Sequence, residues 1–334
     1  MKMRFLILSI LIGLLLVPNL VFAHSGDDGI YIIGAWARST AAADVERHAE
    51  GSRAEHGEVS AVYMQIENPG SHPIQLIDAR TNVATVELHE TTMDGDLMRM
   101  NRIEGITIGT GEMVALEPGG LHIMLLDLQR PLVEGEAIAL TLIFEMLEDD
   151  GSPMGETVEV LVGVPILAEL AEVTSDLVIT SAWARPTASA AMEADEHEMH
   201  EHGHDHNHSH GSEMGGMVSA AYMNILNRGQ DDDRLIAAST NVAVVEIHET
   251  TMDGDLMRMR EIPGIDLAAG EIVRLQPGGL HLMLLDAEPL VEGEAVALTL
   301  EFESGRTLTI GVPVFDRMMG MDHDHDHGNH HHHH

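Results

Sequence analysis

Two tandem copies of a small all-β domain, each a sandwich or Greek-key barrel, form the fold class that this sequence predicts. Three observations predict it: an internal repeat covers most of the chain, short apolar runs recur between turn signals, and no convincing amphipathic helix interrupts them. A length of 334 residues has room for two domains of ordinary size.

The repeat is nearly literal. TNVATVELHETTMDGDLMRM, from Thr81 to Met100, returns as TNVAVVEIHETTMDGDLMRM from Thr240 to Met259, with two of twenty positions changed at an offset of 159. PGGLHIMLLD from Pro118 matches PGGLHLMLLD from Pro277, and LVEGEAIALTL from Leu132 matches LVEGEAVALTL from Leu290. Ala35-Trp36-Ala37-Arg38 returns as Ala182-Trp183-Ala184-Arg185. In the first copy, strands are expected over residues 59–66, 84–89, 122–128, 137–144 and 157–162, where Val, Ile and Leu alternate or cluster between Gly, Pro and Asp-Gly signals. About seven strands in each copy suit a sandwich of this kind. Residues 166–173 are expected to form a short helix between the copies. Trp36 and Trp183 are expected to anchor the cores, with Met64, Met146 and Met223 packed inside them.

Residues 1–23 read as a secretory leader. Lys2 and Arg4 precede an apolar stretch from Leu6 to Val17, and Val21-Phe22-Ala23 supplies a small-residue cleavage site. The first domain is then expected over 24–168 and the second over 169–317, with a tail over 318–334. Export to a periplasmic or other extracytoplasmic space follows. No membrane span is expected once the leader is cut, and an uncleaved leader would anchor the chain.

Composition removes several function classes. A net charge of −38 repels phosphate backbones, so no nucleic-acid partner is expected. Lys2 is the single lysine, which leaves no Schiff-base or P-loop chemistry after the leader. Without cysteine there is no thiol catalysis, disulfide or thiolate site. The excesses are 22 Met and 23 His. Many of the histidines lie in two polar tracts. One is a loop in the second copy, residues 192–217, holding His197, His200, His202, His204, His206, His208 and His210; the other is the tail, with His323, His325 and His327. Both are expected to be disordered and to capture Cu(II) or Zn(II), since alternating imidazoles and carboxylates suit such ions.

The sharpest pattern is H-x10-M-x21-H-x-M. It runs through His89, Met100, His122 and Met124, and again through His248, Met259, His281 and Met283. A hairpin loop centred on the Asp94–Gly95 bond would set His89 directly opposite Met100, and the second copy repeats this register. His122 and Met124, two apart on a strand, share a face. Two imidazoles and two thioethers converging in this way make a site for Cu(I), because thioethers are soft and neutral. Zinc sites draw on Cys, His and carboxylate, and blue-copper centres need a thiolate. Met93, Met98, Met252 and Met257 share the hairpin face. They are expected to pack, with secondary metal contact as the other reading.

On these residues the chain resembles the PCu(A)C family of periplasmic copper chaperones, over roughly residues 30–164 and 178–314. The resemblance implies a cupredoxin-like fold and a Cu(I) site made by the four residues of each motif. It also implies delivery toward the dinuclear copper centre of cytochrome c oxidase, with a cysteine-bearing acceptor, an oxidase copper subunit or its assembly factor, as the partner. The tandem copy and the His-rich loop depart from that pattern and keep open a second function, a buffer or resistance protein that sequesters copper without specific delivery. An enzyme, such as a copper monooxygenase using His24, ranks last, because no acid–base constellation stands out. No enzymatic activity is expected.

Overall fold

The computed structural model describes residues 21–24 (backbone only), 29–40, 58–94, 97–168, 176–187, 217–254 and 256–316. Most of the leader, the His-rich loop and the tail lie outside these residues. Described residues form strands and turns without a helix, so none is long and apolar enough to cross a membrane.

The first copy contributes β1 (Val21–His24), β2 (Tyr31–Arg38), β3 (Ser60–Glu67), β4 (Ile74–Arg80), β5 (Thr85–Asp94), β6 (Leu97–Arg102), β7 (Ile106–Ile108), β8 (Met113–Leu116), β9 (Leu121–Leu126), β10 (Ala137–Leu147) and β11 (Pro153–Leu167). One layer runs β2-β3-β9-β5-β6, with β8 also on β3. The facing layer runs β7-β4-β10-β11, and β1 lies parallel to β11. The layers make a sandwich, and of the two architectures expected the closed barrel is not the one formed. Alternation along the strands fills the space between them: Val62, Met64, Ile66, Leu88, Ile123 and Leu125 face Leu76, Leu140, Leu142 and Phe144, all buried.

The second copy repeats the plan with β12 (Leu177–Ala184), β13 (Met217–Asn227), β14 (Asp233–Ser239), β15 (Val244–Asp253), β16 (Leu256–Glu261), β17 (Ile265–Leu267), β18 (Ile272–Leu275), β19 (Leu280–Ala287), β20 (Ala295–Phe302) and β21 (Thr307–Pro313). Strands number more than the seven expected. The short β7, β8, β17 and β18 hold too few residues for their alternation to be recognised in sequence. Asn68 and Asn227, buried in equivalent turns, tie those short strands down. The Asn68 side-chain amide donates to the carbonyls of His72, Ile108 and Gly109, and that of Asn227 donates to those of Asp231 and Leu267.

The helix expected from residue 166 does not start there. Ile166 and Leu167 instead continue β11 and pair in parallel with Ala37 and Arg38. Residues 169–173 lie outside the described set. The two copies meet where β11 pairs antiparallel with β21, Gly163 opposite Gly311. These glycines are equivalent in the repeat, in Gly163-Val164-Pro165 and Gly311-Val312-Pro313, so the junction is close to two-fold. A Cβ on either would collide with the backbone of the other. Arg228 adds a link across the junction, pairing with Glu67 at 2.7 Å and lying over the Tyr31 ring at 5.7 Å.

Candidate metal centre

The motif residues sit on the β9-β5-β6 part of the first layer, on the face turned away from the core. Alternation decides this. Leu88, Ile123 and Leu125 are buried in the core, so His89, His122 and Met124 must point the other way. The register sets His89 opposite His122 and Glu87 opposite Met124. In the second copy His248 faces His281 and Glu246 faces Met283.

The β5–β6 hairpin departs from the expected register. Its last pair is Asp94 with Leu97, so only residues 95 and 96 connect the strands, and Met100 lies opposite Thr91 instead of His89. The second copy does the same, with Asp253 opposite Leu256 and Met259 opposite Thr250. A two-residue loop is the favoured hairpin connection. A slip of two residues preserves the face, because side chains alternate with period two. Met100 therefore stays on the face of His89, one rung nearer the hairpin tip.

Each histidine is held through one ring nitrogen, and its other ring nitrogen has no hydrogen-bond partner. The His122 Nδ1–H donates to the Gly120 carbonyl at 3.0 Å, and the His89 Nε2–H donates to the Glu87 carboxylate at 2.8 Å. Neither acceptor has a proton to give, which fixes the tautomers. His122 Nε2 and His89 Nδ1 are buried without a hydrogen-bond partner, as are His281 Nε2 and His248 Nδ1. A buried, unpaired ring nitrogen is costly, and one whose opposite N–H is tied to a carboxylate or carbonyl is oriented as a metal ligand is. Ring centroids lie 5.8 Å apart for His89 and His122, and 5.7 Å for His248 and His281. With metal–nitrogen bonds of about 2.0 Å and ring radii of about 1.1 Å, two imidazoles sharing one ion have centroids at most about 6.2 Å apart. Both pairs fit that limit.

Aromatic rings wall the site on the side away from the hairpin. Tyr63 lies 6.4 Å from His122 and 4.8 Å from Trp36, and Tyr222 lies 6.3 Å from His281 and 4.5 Å from Trp183. Burial pushes the Tyr63 phenol above its ordinary pKa against the pull of Arg38, and Tyr222 behaves likewise beside Arg185. Trp36 and Trp183 are buried as expected, but in small clusters with these tyrosines, apart from the main cores. Met64 and Met223 do pack in the cores, and Met146 lies against one.

Met124 and Met283 are partly buried beside the histidines, whereas Met100 and Met259 stand open at 51% and 53% exposure. Among the described residues no group of three or more His, Cys, Asp or Glu side chains gathers in metal-binding range. Glu87 and Glu246 escaped the sequence reading, although Glu-x-His already places each carboxylate on the face of its histidine. The histidines of the second-copy loop and tail, from His197 to His210 and from His323 to His327, lie outside the described residues.

A family model described as "Putative lipoprotein LpqE-like" matches residues 30–164 and 177–314. The chain belongs to this family. Like the family, a relative from Leifsonia xyli subsp. xyli bears a lipoprotein name, Putative lipoprotein Lxx21020. It is 32% identical over 105 residues, covering 30% of this LpqE-like chain and 63% of the relative, so the match spans less than two thirds of that protein. Among solved structures, the copper-bound PCuAC domain from PmoF2 is 22% identical, with a TM-score of 0.28 over 42% of this chain and 92% of that one. The solution structure of CuI-DR1885 from Deinococcus radiodurans is 32% identical, with a TM-score of 0.27 over 30% and 69%.

Proposed function

We propose that this LpqE-like protein is an exported copper carrier. Each domain binds one Cu(I), the first through His89, Met100, His122 and Met124, the second through His248, Met259, His281 and Met283. The observation that carries the reading is a buried ring nitrogen without a hydrogen-bond partner on each of two directly opposed histidines, in both copies, with methionines on the same face of the sheet. Two neutral imidazoles and two neutral thioethers favour a soft monovalent ion. Ligands of that kind also release it by stepwise exchange, with thiolates of a partner replacing thioethers first. The acceptor is a cysteine-bearing protein such as an oxidase copper subunit or its assembly factor. The His-rich loop and tail gather Cu(II) or Zn(II) nearby. Domain limits of 24–168 and 169–317 go with this reading.

Cu(I) titration of the leader-free protein tests it. Two ordered sites are expected, and Met100→Ala with Met124→Ala leaves one. Wild-type stoichiometry in that variant overturns the ligand set. Delivery is read separately, by mixing the loaded protein with a reduced dithiol acceptor. Acceptor metallation faster than from chelated copper at equal copper activity is expected, and equal rates would make the protein a buffer.

A further inference from the structure

Beyond Thr91, whose amide donates to the Gly120 carbonyl, the β5–β6 hairpin runs on past the end of β9. This overhang carries Met93 and Met98 directly opposite each other, and the second copy sets Met252 opposite Met257. Among the described residues these four are not packed, against the expected role: Met93 and Met252 are 64% and 63% exposed, and Met98 and Met257 both 63%. Directly opposed side chains have Cβ atoms about 4.5–5.5 Å apart, within range for two flexible thioethers to close on one ion. By parity this pair shares the face of His89 and His122. Three rungs therefore run inward, Met93–Met98, then Thr91–Met100, then His89 with His122, each about 6.8 Å from the next.

We propose that Met93 with Met98, and Met252 with Met257, form a second soft-metal site on each hairpin, which takes a monovalent ion such as Cu(I) or Ag(I) through two thioethers and passes it by way of Met100 or Met259 to the histidine pair. The binding step stands on thioether chemistry alone; the passing step rests on the copper reading above. Each transfer exchanges one neutral thioether for another, then for an imidazole nitrogen, with no change of oxidation state and no proton moved. Two neutral ligands at an exposed position hold an ion weakly, as a station on a route requires. The acidic chain draws cations to it.

The test uses the leader-free full chain with 13C-labelled methionine methyl groups, titrated with Ag(I) in chloride-free buffer, with signals assigned by Met→Leu substitution. The methyl signals of Met93, Met98, Met252 and Met257 are expected to shift in the wild type. They are expected to shift equally in His89→Gln/His248→Gln, where the inner site is broken. If that variant does not fold, Met124→Leu/Met283→Leu takes its place. Shifts confined to the wild type would mean a change transmitted from the inner site, and the outer site falls. Silence at these four with shifts at Met124 and Met283 also overturns the outer site and leaves the copper reading standing, whereas silence at every methionine overturns both. In Met93→Leu/Met98→Leu/Met252→Leu/Met257→Leu, loading of the inner sites from a Cu(I) chelator should slow several-fold at unchanged final stoichiometry. An unchanged loading rate contradicts the route.

Discussion

The two copies hold the same histidines and methionines in the same register, yet they differ opposite the first histidine. His89 faces Arg102, which also reaches Glu87 at 3.2 Å, while His248 faces Glu261. In the second copy the arginine sits one position earlier, as Arg260, and pairs with Glu249 at 2.8 Å on the other face. The first site therefore has a cation at its edge and the second an anion. Duplication kept the histidines and methionines and let the surrounding charge drift. Sites with one ligand set can then differ in affinity and loading order, and the His-rich loop belongs to the copy with the more negative edge.

Three experiments break or sharpen that comparison. The largest effect is expected at the junction, where Gly163→Val or Gly311→Val drives a side chain into the opposing backbone. Overpacking of this kind costs about 1–3 kcal/mol. Calorimetry should show the two copies melting as separate transitions, with both inner sites intact. A single unshifted transition would show that the strand pairing does not couple them.

Exchanging the edge charges comes next. A unit charge about 6 Å from a bound cation contributes roughly 0.7 kcal/mol in water-like surroundings, so the two-unit difference is worth about 1 kcal/mol after salt screening, roughly fivefold in affinity. The second site should bind Cu(I) more tightly than the first. Arg102→Glu with Glu261→Arg should reverse the order in a chelator competition at low salt. An unaltered order would remove charge as the cause of the difference.

The smallest effect concerns pH. Burial opposes ionisation of Asp233, but hydrogen bonds from the Ser304 hydroxyl and the Arg234 and Ser304 amides, with Arg306 nearby, hold its carboxyl below the ordinary value. A depressed folded-state pKa contributes stability that is present above the ordinary carboxylate value of about 3.9 and lost as pH falls through the folded value. In the first copy the side-chain hydrogen bonds of the corresponding turn are local, with the Ser152 amide and hydroxyl donating to the Asp150 carboxylate. In the Gly163→Val background, where the copies are expected to melt separately, Asp233→Asn should therefore flatten the acid limb of the second copy's stability and leave that of the first unchanged. Equal flattening in both would contradict the assignment.

Much of this arrangement was legible in the residues. The repeat, the all-β class and the shared face of His89, His122 and Met124 follow from period-two alternation. Register was not legible, because Asp94-Gly95-Asp96 allows the turn to be centred on either bond, and local sequence does not choose between them. The candidate residues lie on the outer face of a sheet, because the core claims Leu88, Ile123 and Leu125 and turns their neighbours outward. The free nitrogens could not be read from sequence either, since they depend on where the Glu87 carboxylate and the Gly120 carbonyl end up in space.

X-ray absorption at the copper edge, on the leader-free protein loaded with one Cu(I) per domain, tests the central claim most directly. The account predicts a first shell of mixed nitrogen and sulfur scatterers, two of each per copper at full ligation, and the same shell per copper in Met100→Ala/Met124→Ala, whose single remaining site keeps both of its thioethers. A shell of nitrogen and oxygen alone would contradict the account.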